Sequence, residues 1–144
     1  MDTLIQQIYT ATILFGGTTR STFAPYLSPT SGYSVARAGR ELKVSEDAFN
    51  ANIVDNFINS NKHLLIDARV HVGTWLDNGI VYLDVVDVVQ DKETAIRQGI
   101  ANNQLSIYDN NRCEVIDMPP TQTAGTHTQQ RMYTDMKVQE LVEA

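Results

Sequence analysis

Alternating apolar and polar positions between Leu65 and Val89 predict a β-hairpin. Its turn is Asn78-Gly79, a pair that favours a type I′ turn because both central residues of that turn need positive φ. The turn fixes the register of the strands, so Trp75 is expected opposite Tyr82. The other pairs expected on the same face are Asp77–Ile80, Gly73–Asp84, His71–Val86 and Arg69–Val88.

The two faces of this predicted hairpin differ in composition. One is almost entirely apolar, and we call it the core face because burial is its expected role. The other, which we call the mixed face, carries the aromatic, ionisable and apolar pairs named above. The core-face residues are Ile66, Ala68, Val70, Val72, Thr74 and Leu76 against Val81, Leu83, Val85 and Asp87.

Apolar residues spaced three to four positions apart predict helices on either side of the hairpin. The first spans Asp2–Phe15 and ends at Gly16-Gly17. The second begins at Ser45, whose hydroxyl is expected to cap the helix. The apolar stripe of this helix is expected to pack on the core face. The other two are expected at Lys92–Asn102, capped by Asp91, and at Gln129–Glu143.

Shorter alternations predict further strands at Tyr33–Ala38 and Glu41–Val44. A second hairpin is expected between Leu105 and Met118, with its turn at residues 109–112. Thr18–Gly32 contains two prolines and many hydroxyl residues, which indicates a long irregular connection. Residues 121–130 are polar and contain few apolar side chains, which is typical of a linker.

Strands paired by tight turns, with helices gathered on one side, indicate an α+β fold. We expect an antiparallel sheet of two or three hairpins with helices on one face, followed by a C-terminal tail. The predicted single domain spans residues 1–118, and residues 119–144 form a linker and a C-terminal helix.

Composition narrows the classes of function. The net charge of the 144 residues is -6, which argues against direct binding to a nucleic-acid backbone. The single Cys113 excludes an internal disulfide and is compatible with the cytoplasm. No secretory signal and no stretch long enough to span a membrane is recognised, so we expect a cytoplasmic protein without membrane contact.

The mixed face is the candidate site. Trp75 and Tyr82 form an expected cross-strand aromatic pair, and Gly73 opposite Asp84 is expected to leave open space beside the carboxylate. An aromatic wall with a carboxylate acceptor suits a planar polar ligand. The alternative is that the pair only stabilises the hairpin, with the face covered by the loop around Phe23 and Tyr26 or by another subunit. The candidate ligand-binding residues are Arg69, His71, Trp75, Tyr82, Asp84 and Asn103.

No metal or cofactor is predicted. Asp84 and Asp87 point to opposite faces of a strand and Asp91 is an expected helix cap, so these carboxylates do not converge. The three histidines lack zinc-ligand spacing, and Cys113 has no identifiable base beside it. We therefore predict no catalytic residue.

Four stretches resemble small, largely uncharacterised accessory proteins of actinobacterial phages and mobile elements. They are residues 30–35 (Thr-Ser-Gly-Tyr-Ser-Val), 73–75 (Gly-Thr-Trp), 81–85 (Val-Tyr-Leu-Asp-Val) and 101–109 (Ala-Asn-Asn-Gln-Leu-Ser-Ile-Tyr-Asp). The resemblance covers about residues 30–115 and implies a phage or mobile-element context. It supplies no active site.

The leading hypothesis is a non-enzymatic accessory protein, a homo-oligomer, that binds a host or phage protein or a small polar ligand through the mixed face. The oligomer is inferred from apolar residues on both faces of Ile80–Val88 and from a terminal helix without an obvious docking place. The alternatives are an anti-defence protein that sequesters a nucleotide signal, with Arg69 on the phosphate, a small acid/base enzyme that uses Asp84 and His71, and an acidic mimic of DNA.

Overall fold

The computed structural model describes residues 2–120 and 125–144. Its helices and strands follow the predicted order, with one additional strand and one additional short helix. The helices are α1 (Thr3–Phe15), α2 (Ala51–Ser60), α3 (Lys62–Leu65), α4 (Lys92–Ala101) and α5 (His127–Glu143), and the strands are β1 (Gly17–Arg20), β2 (Tyr33–Ala36), β3 (Leu42–Ser45), β4 (Val70–Asp77), β5 (Ile80–Val89), β6 (Ser106–Asp109) and β7 (Glu114–Asp117).

The chain divides into two compact units. The first comprises Met1–Pro29 and Gly39–Val88, and the second comprises Thr30–Ala38 and Val89–Ala144. Within the first unit, β4 pairs antiparallel with both β1 and β5, and β3 pairs antiparallel with β5. Within the second unit, β6 pairs antiparallel with both β2 and β7. The α+β prediction, with antiparallel hairpins and a C-terminal helix, is confirmed.

The β4–β5 hairpin has the predicted turn and register. Asn78 and Gly79 have φ values of 49° and 77°, so both central residues of the turn lie in the left-handed region. Trp75 pairs with Tyr82, and Gly73 pairs with Asp84. The prediction that the strand extends back to Leu65 is wrong, because Leu65 ends helix α3 and Ile66 is exposed.

The core face of the hairpin is buried beneath helices α1, α2 and α3. Val72, Val81 and Leu83 are completely buried in one apolar cluster. Apolar residues of the three helices complete this cluster, so the core face and the helices shield each other from water. Its helical members are Leu4, Ile5, Ile8, Val54, Phe57 and Leu65, together with Phe49 just before α2.

Helix α1 ends as predicted, but the irregular connection predicted for Thr18–Gly32 is wrong at its start. Gly16 adopts φ 86° as the C-cap of α1, and Gly17–Arg20 then forms a strand paired with β4. This strand reads Gly-Thr-Thr-Arg and contains no apolar residue, so alternation could not identify it.

The second helix begins later than predicted. Ser45 is the last residue of β3 and precedes a single 3₁₀ turn, and its side chain makes no capping hydrogen bond there. Asn50 is the N-cap of α2, with its side-chain oxygen accepting a hydrogen bond from the backbone N–H of Ile53 at 3.0 Å. Asn and Ser are equally good N-caps, so the local sequence offered two starts.

The second unit packs α4 and α5 with the sheet formed by β2, β6 and β7. Val35, Ile96, Ile107 and Val138 are buried in a single apolar cluster. Asp91 caps α4 as predicted, since its carboxylate accepts from the backbone N–H of Thr94 at 2.9 Å. The terminal helix therefore has a docking place within its own unit. The predicted linker at residues 121–130 lies partly outside the described residues.

The helices are too short or too polar for a membrane span. Over residues 2–120 and 125–144, no helix combines the length and the apolar composition needed to cross a bilayer.

Candidate functional site

The mixed face of the hairpin is wider than the hairpin itself, because β1 and β3 extend it on either side. Trp75 lies opposite Tyr82 on β5, and Tyr82 in turn lies opposite Lys43 on β3. On the other side, Trp75 lies opposite Gly17 of β1. A side chain is missing at Gly17, so the indole is flanked on one side only.

The aromatic pair at the centre of this face is open to solvent. The Trp75 and Tyr82 rings are 6.5 Å apart between centroids and inclined at 49°, which is within the range of attractive aromatic contacts. Lys43 Nζ lies 5.7 Å from the centroid of the Tyr82 ring, a cation–π distance. Trp75 as a whole remains 45% exposed. A second flat group could therefore pack against it.

Asp84 is the most unusual group on the mixed face. Its Oδ1 atom is buried and, across the described ranges 2–120 and 125–144, has no hydrogen-bond partner. Burial, and to a smaller degree the nearby charge of Glu41, raises the pKa of the Asp84 carboxyl to about 7. An unpartnered carboxyl with a pKa this far above 3.8 is typical of functional sites, although structural carboxyls also show such shifts.

The space beside Asp84 is smaller than the sequence predicts. Gly73 lies opposite Asp84, but a Cβ built at Gly73 would come within 2.7 Å of Cγ2 of Val86. The expected opening over this glycine is therefore wrong, because a methyl group of Val86 occupies it. Val86 is itself buried, so the space over Gly73 is filled by an apolar side chain.

His71 is buried near one end of the mixed face. Its Nδ1 atom lies 3.2 Å from the backbone carbonyl oxygen of Arg69, which makes this nitrogen the donor. Burial lowers the pKa of the imidazole, and that hydrogen bond only partly offsets the effect. The imidazole is therefore held neutral at pH 7.

Arg69 lies just before β4 and is occupied by a neighbour. Its Nε and Nη2 atoms donate to the two carboxylate oxygens of Asp67 at 3.1 and 2.8 Å. The pair is exposed, and this hydrogen bonding raises the pKa of the guanidinium above its ordinary value. Arg69 is therefore already neutralised by a fork-like pair.

Asn103 belongs to the second unit, whereas the other five candidate residues belong to the first. It follows the C-cap of α4 and has a φ of 54°, a left-handed conformation that asparagine tolerates. A left-handed residue directly after a helix is a common way for the helix to end. Asn103 is one of the residues that line a cavity of the second unit.

Tyr26, in the loop after β1, does not cover the mixed face. Tyr26 packs against the apolar cluster of the first unit, on the opposite side of the sheet. Arg20 and Thr22 hold the loop there by donating to the backbone oxygens of Tyr26 and Leu65. Tyr26 is therefore not part of a cover over the mixed face, and a cover by the rest of the loop or by another subunit stays an open alternative.

Comparisons with known proteins add nothing to this geometry. No protein-family model, no curated protein and no solved structure matches the chain.

Two residues of the mixed face are not evident from the sequence pattern. Lys43 and Glu41 reach it because β3 pairs with β5, and they form an ion pair with each other at 3.7 Å. The alternation of residues 41–44 identified the strand but not its partner. Pairing between strands distant in sequence leaves no local pattern, whereas a tight turn does.

The acidic groups of this face do not form a metal site. Within the part of the chain that the structure describes, no three His, Cys, Asp or Glu side chains gather closely enough to hold an ion. Asp84 and Glu41 are neighbours, but Lys43 already pairs with Glu41.

Proposed function

We propose that this protein is a non-enzymatic binding protein and that the mixed face of the β4–β5 hairpin is its binding surface. The ligand is a small polar molecule or a side chain of a partner protein, and it carries a planar, positively charged group that donates hydrogen bonds. A guanidinium group has these properties. The observation that carries the proposal is the juxtaposition of an exposed tryptophan with a buried, unpartnered carboxyl oxygen within residues 2–120 and 125–144.

The aromatic pair supports a planar cation. Arginine stacks on tryptophan and tyrosine through both its flat shape and its charge. Lys43 already occupies the cation position over Tyr82, which indicates that this ring pair favours positive charge. Trp75 is 45% exposed, and its cross-strand neighbour Gly17 has no side chain that could cover the indole.

The carboxyl groups support the same ligand. A cation that reached Asp84 would supply the hydrogen-bond donor that its Oδ1 lacks among the described residues and would favour the ionised form. Glu41 lies beside it, and its charge is paired with Lys43. The carboxylate of Asp84 would repel a phosphate, so it disfavours the nucleotide-binding alternative, as does the pairing of Arg69 with Asp67.

The acid/base alternative has one observation in its favour, namely the pKa of about 7 at Asp84. Against it, the Nδ1 atom of His71 is directed to the backbone of Arg69. No hydrogen bond joins His71 to Oδ1 of Asp84 in residues 2–120 and 125–144. We therefore favour binding over catalysis.

The setting we propose is that of a cytoplasmic accessory protein of a phage or mobile element, and its support is the sequence resemblance alone.

The homo-oligomer stays a prediction, but the two observations that suggested it are weaker. Val86 on the mixed face and Val138 on α5 are both buried within a single chain. Light scattering that detected only a monomer would contradict the prediction of a homo-oligomer.

Trp75 is the single tryptophan of the chain, so its fluorescence reports directly on the proposed surface. The probe is the peptide acetyl-Gly-Arg-Gly-amide, and the control is the same peptide with citrulline, a neutral relative of arginine. We expect the arginine peptide to change the fluorescence and to bind about tenfold more tightly than the citrulline peptide, as for one charge-assisted hydrogen bond.

A matched variant tests the role of the carboxyl. Asp84→Asn keeps the shape of the side chain and removes its charge, so the preference for arginine over citrulline should disappear. Cyclic nucleotides serve as the competing probe class. The proposal is contradicted if the nucleotides change the Trp75 signal and the arginine peptide does not.

A further inference from the structure

The second unit contains a cavity of about 320 Å³ that the proposed function does not use. Its walls are the end of α4, the connection from α4 to β6, the two prolines after β7 and the first turns of α5. This volume lies at the lower end of the range for small-molecule sites. The lining includes Arg97, Gln104, Pro119, Arg131, Tyr133 and Asp135.

Two contacts between elements hold the walls in place. Arg97 on α4 donates from Nη1 to the carboxylate of Asp135 on α5 at 2.8 Å. The hydroxyl of Tyr133 donates to the backbone oxygen of Pro120 at 3.1 Å, which ties α5 to the segment after β7. A ligand would therefore enter a cavity that is already formed, and less entropy would be lost on binding.

The two arginines of the cavity differ in their partners. Arg97 is neutralised by Asp135 and also by Glu93, at 2.8 and 3.2 Å. Arg131 is exposed and, in the stretches 2–120 and 125–144, no hydrogen bond or ion pair involves it. Arg97 with its two carboxylates carries a net charge of -1, and Arg131 brings the charge of the whole group to zero. The guanidinium of Arg131 therefore keeps unused donors, and an anionic group is the ligand that would use them.

The rest of the lining indicates a ligand with a flat apolar body. The lining residues include the apolar Ile100 and Pro119, the aromatic Tyr133, and the polar Gln104 and His127. Nε2 of Gln104 donates to the backbone oxygen of Asn102 at 3.2 Å, which fixes the orientation of its amide. Apolar walls with a few placed polar groups are the usual composition of a small-molecule site.

We propose that this cavity binds a small organic anion, in which a carboxylate or phosphate ester on a planar apolar body pairs with Arg131. The guanidinium of Arg131 would donate two parallel hydrogen bonds to the anionic group. The apolar body would contact Tyr133 and the prolines. This site is independent of the mixed face, since all of its lining residues belong to the second unit.

The test is calorimetry and NMR titration of the full chain with three probes: benzoate, phenyl phosphate and neutral benzyl alcohol. We expect at least one anion to bind at millimolar concentration or tighter, to shift the resonances of Gln104 and Tyr133, and to bind about tenfold more tightly than benzyl alcohol. Comparison of the two anions distinguishes a carboxylate ligand from a phosphate ester.

Two charge-matched variants complete the experiment. Arg131→Gln should weaken anion binding about tenfold, and Arg112→Gln, which removes one charge from the exposed β6–β7 turn, should leave it unchanged. The proposal is overturned if no probe binds, if benzyl alcohol binds as tightly as both anions, or if the two variants behave alike. Circular dichroism of both variants checks that the fold is retained.

Discussion

The two faces of the β4–β5 hairpin are made by the same two strands, yet they differ in whether their buried polar groups are hydrogen-bonded. On the core face, the hydroxyl of Thr74 has a partner, because it lies 2.6 Å from that of Thr12, which itself donates to the Ile8 oxygen at 2.7 Å. On the mixed face, Oδ1 of Asp84 is also buried but has none within residues 2–120 and 125–144.

This difference separates residues that stabilise the fold from residues that are available for another role. A buried polar group without a partner costs about 1–3 kcal/mol, so a fold under selection for stability alone would remove it. The core face follows that rule at Thr74. The mixed face departs from it at the carboxyl of Asp84, on the face that carries an exposed tryptophan, which is where we place the ligand.

The largest expected change in stability follows from a substitution on the core face. Leu83 is 0% exposed, so Leu83→Ala removes apolar contacts and leaves a cavity in the cluster shared with α1 and α2. We expect the free energy of unfolding to fall by about 3 kcal/mol, measured by urea denaturation. The matched control is Leu105→Ala, because Leu105 is 85% exposed and should change stability by less than about 0.5 kcal/mol. Similar losses for the two variants would contradict the assignment of the core face.

The second largest effect is expected for Asp84→Asn, which should raise the free energy of unfolding instead of lowering it. The pKa of Asp84 is raised to about 7 in the folded protein, from 3.8, so the folded state holds the proton more tightly than the unfolded state does. The contribution of Asp84 to stability is therefore fully present below pH 3.8 and is lost as the pH rises through about 7.

Asp84→Asn removes this pH dependence. We expect the variant to be more stable than the natural protein by about 2 kcal/mol at pH 8, below the ~4 kcal/mol that the whole shift represents, because the amide is also a buried polar group. At pH 4 the two proteins should be nearly equally stable. Urea denaturation at both pH values measures this, and a variant that is less stable at pH 8 would sink the prediction.

Leu83 and Asp84 also show which features of the hairpin could be predicted from the sequence alone. The Asn78-Gly79 turn determined the register, and the register placed the two residues on opposite faces. The sequence could not predict that Asp84 would be buried, because its burial depends on how neighbouring side chains pack. Val86 reaching over Gly73 is one such contact, and no periodicity reports it.

The same limit explains what could not be predicted around the site. β1 lacks apolar residues and β3 pairs with a strand roughly 40 positions further along the chain, so neither the strand nor the partner was evident from local pattern. Similarly, Ser45 and Asn50 are about equally favourable N-caps, so the local sequence does not determine which of them begins the helix. Long-range pairing and packing are thus what a local pattern cannot report.

A smaller effect is expected where the mixed face is closely packed. In Gly73→Ala the new Cβ would lie 2.7 Å from Cγ2 of Val86, which forces the valine to move. We expect a loss of about 1–2 kcal/mol in unfolding free energy, typical of an overpacked position and measured by urea denaturation. In the Val86→Ala background the methyl is gone, so the same substitution should cost less. Equal costs in the two backgrounds would show that this contact does not close the space beside Asp84.

The smallest effect on stability is expected at Trp75, and it bears most directly on function. Trp75→Thr keeps a residue suited to a strand and removes the ring pair with Tyr82, which is worth about 0.5 kcal/mol in unfolding free energy. Calorimetry with the arginine peptide should at the same time detect no binding. A small stability change with intact binding would move the ligand away from this face. A loss above about 2 kcal/mol would instead assign the indole to packing, and the contrast between the two faces would then disappear.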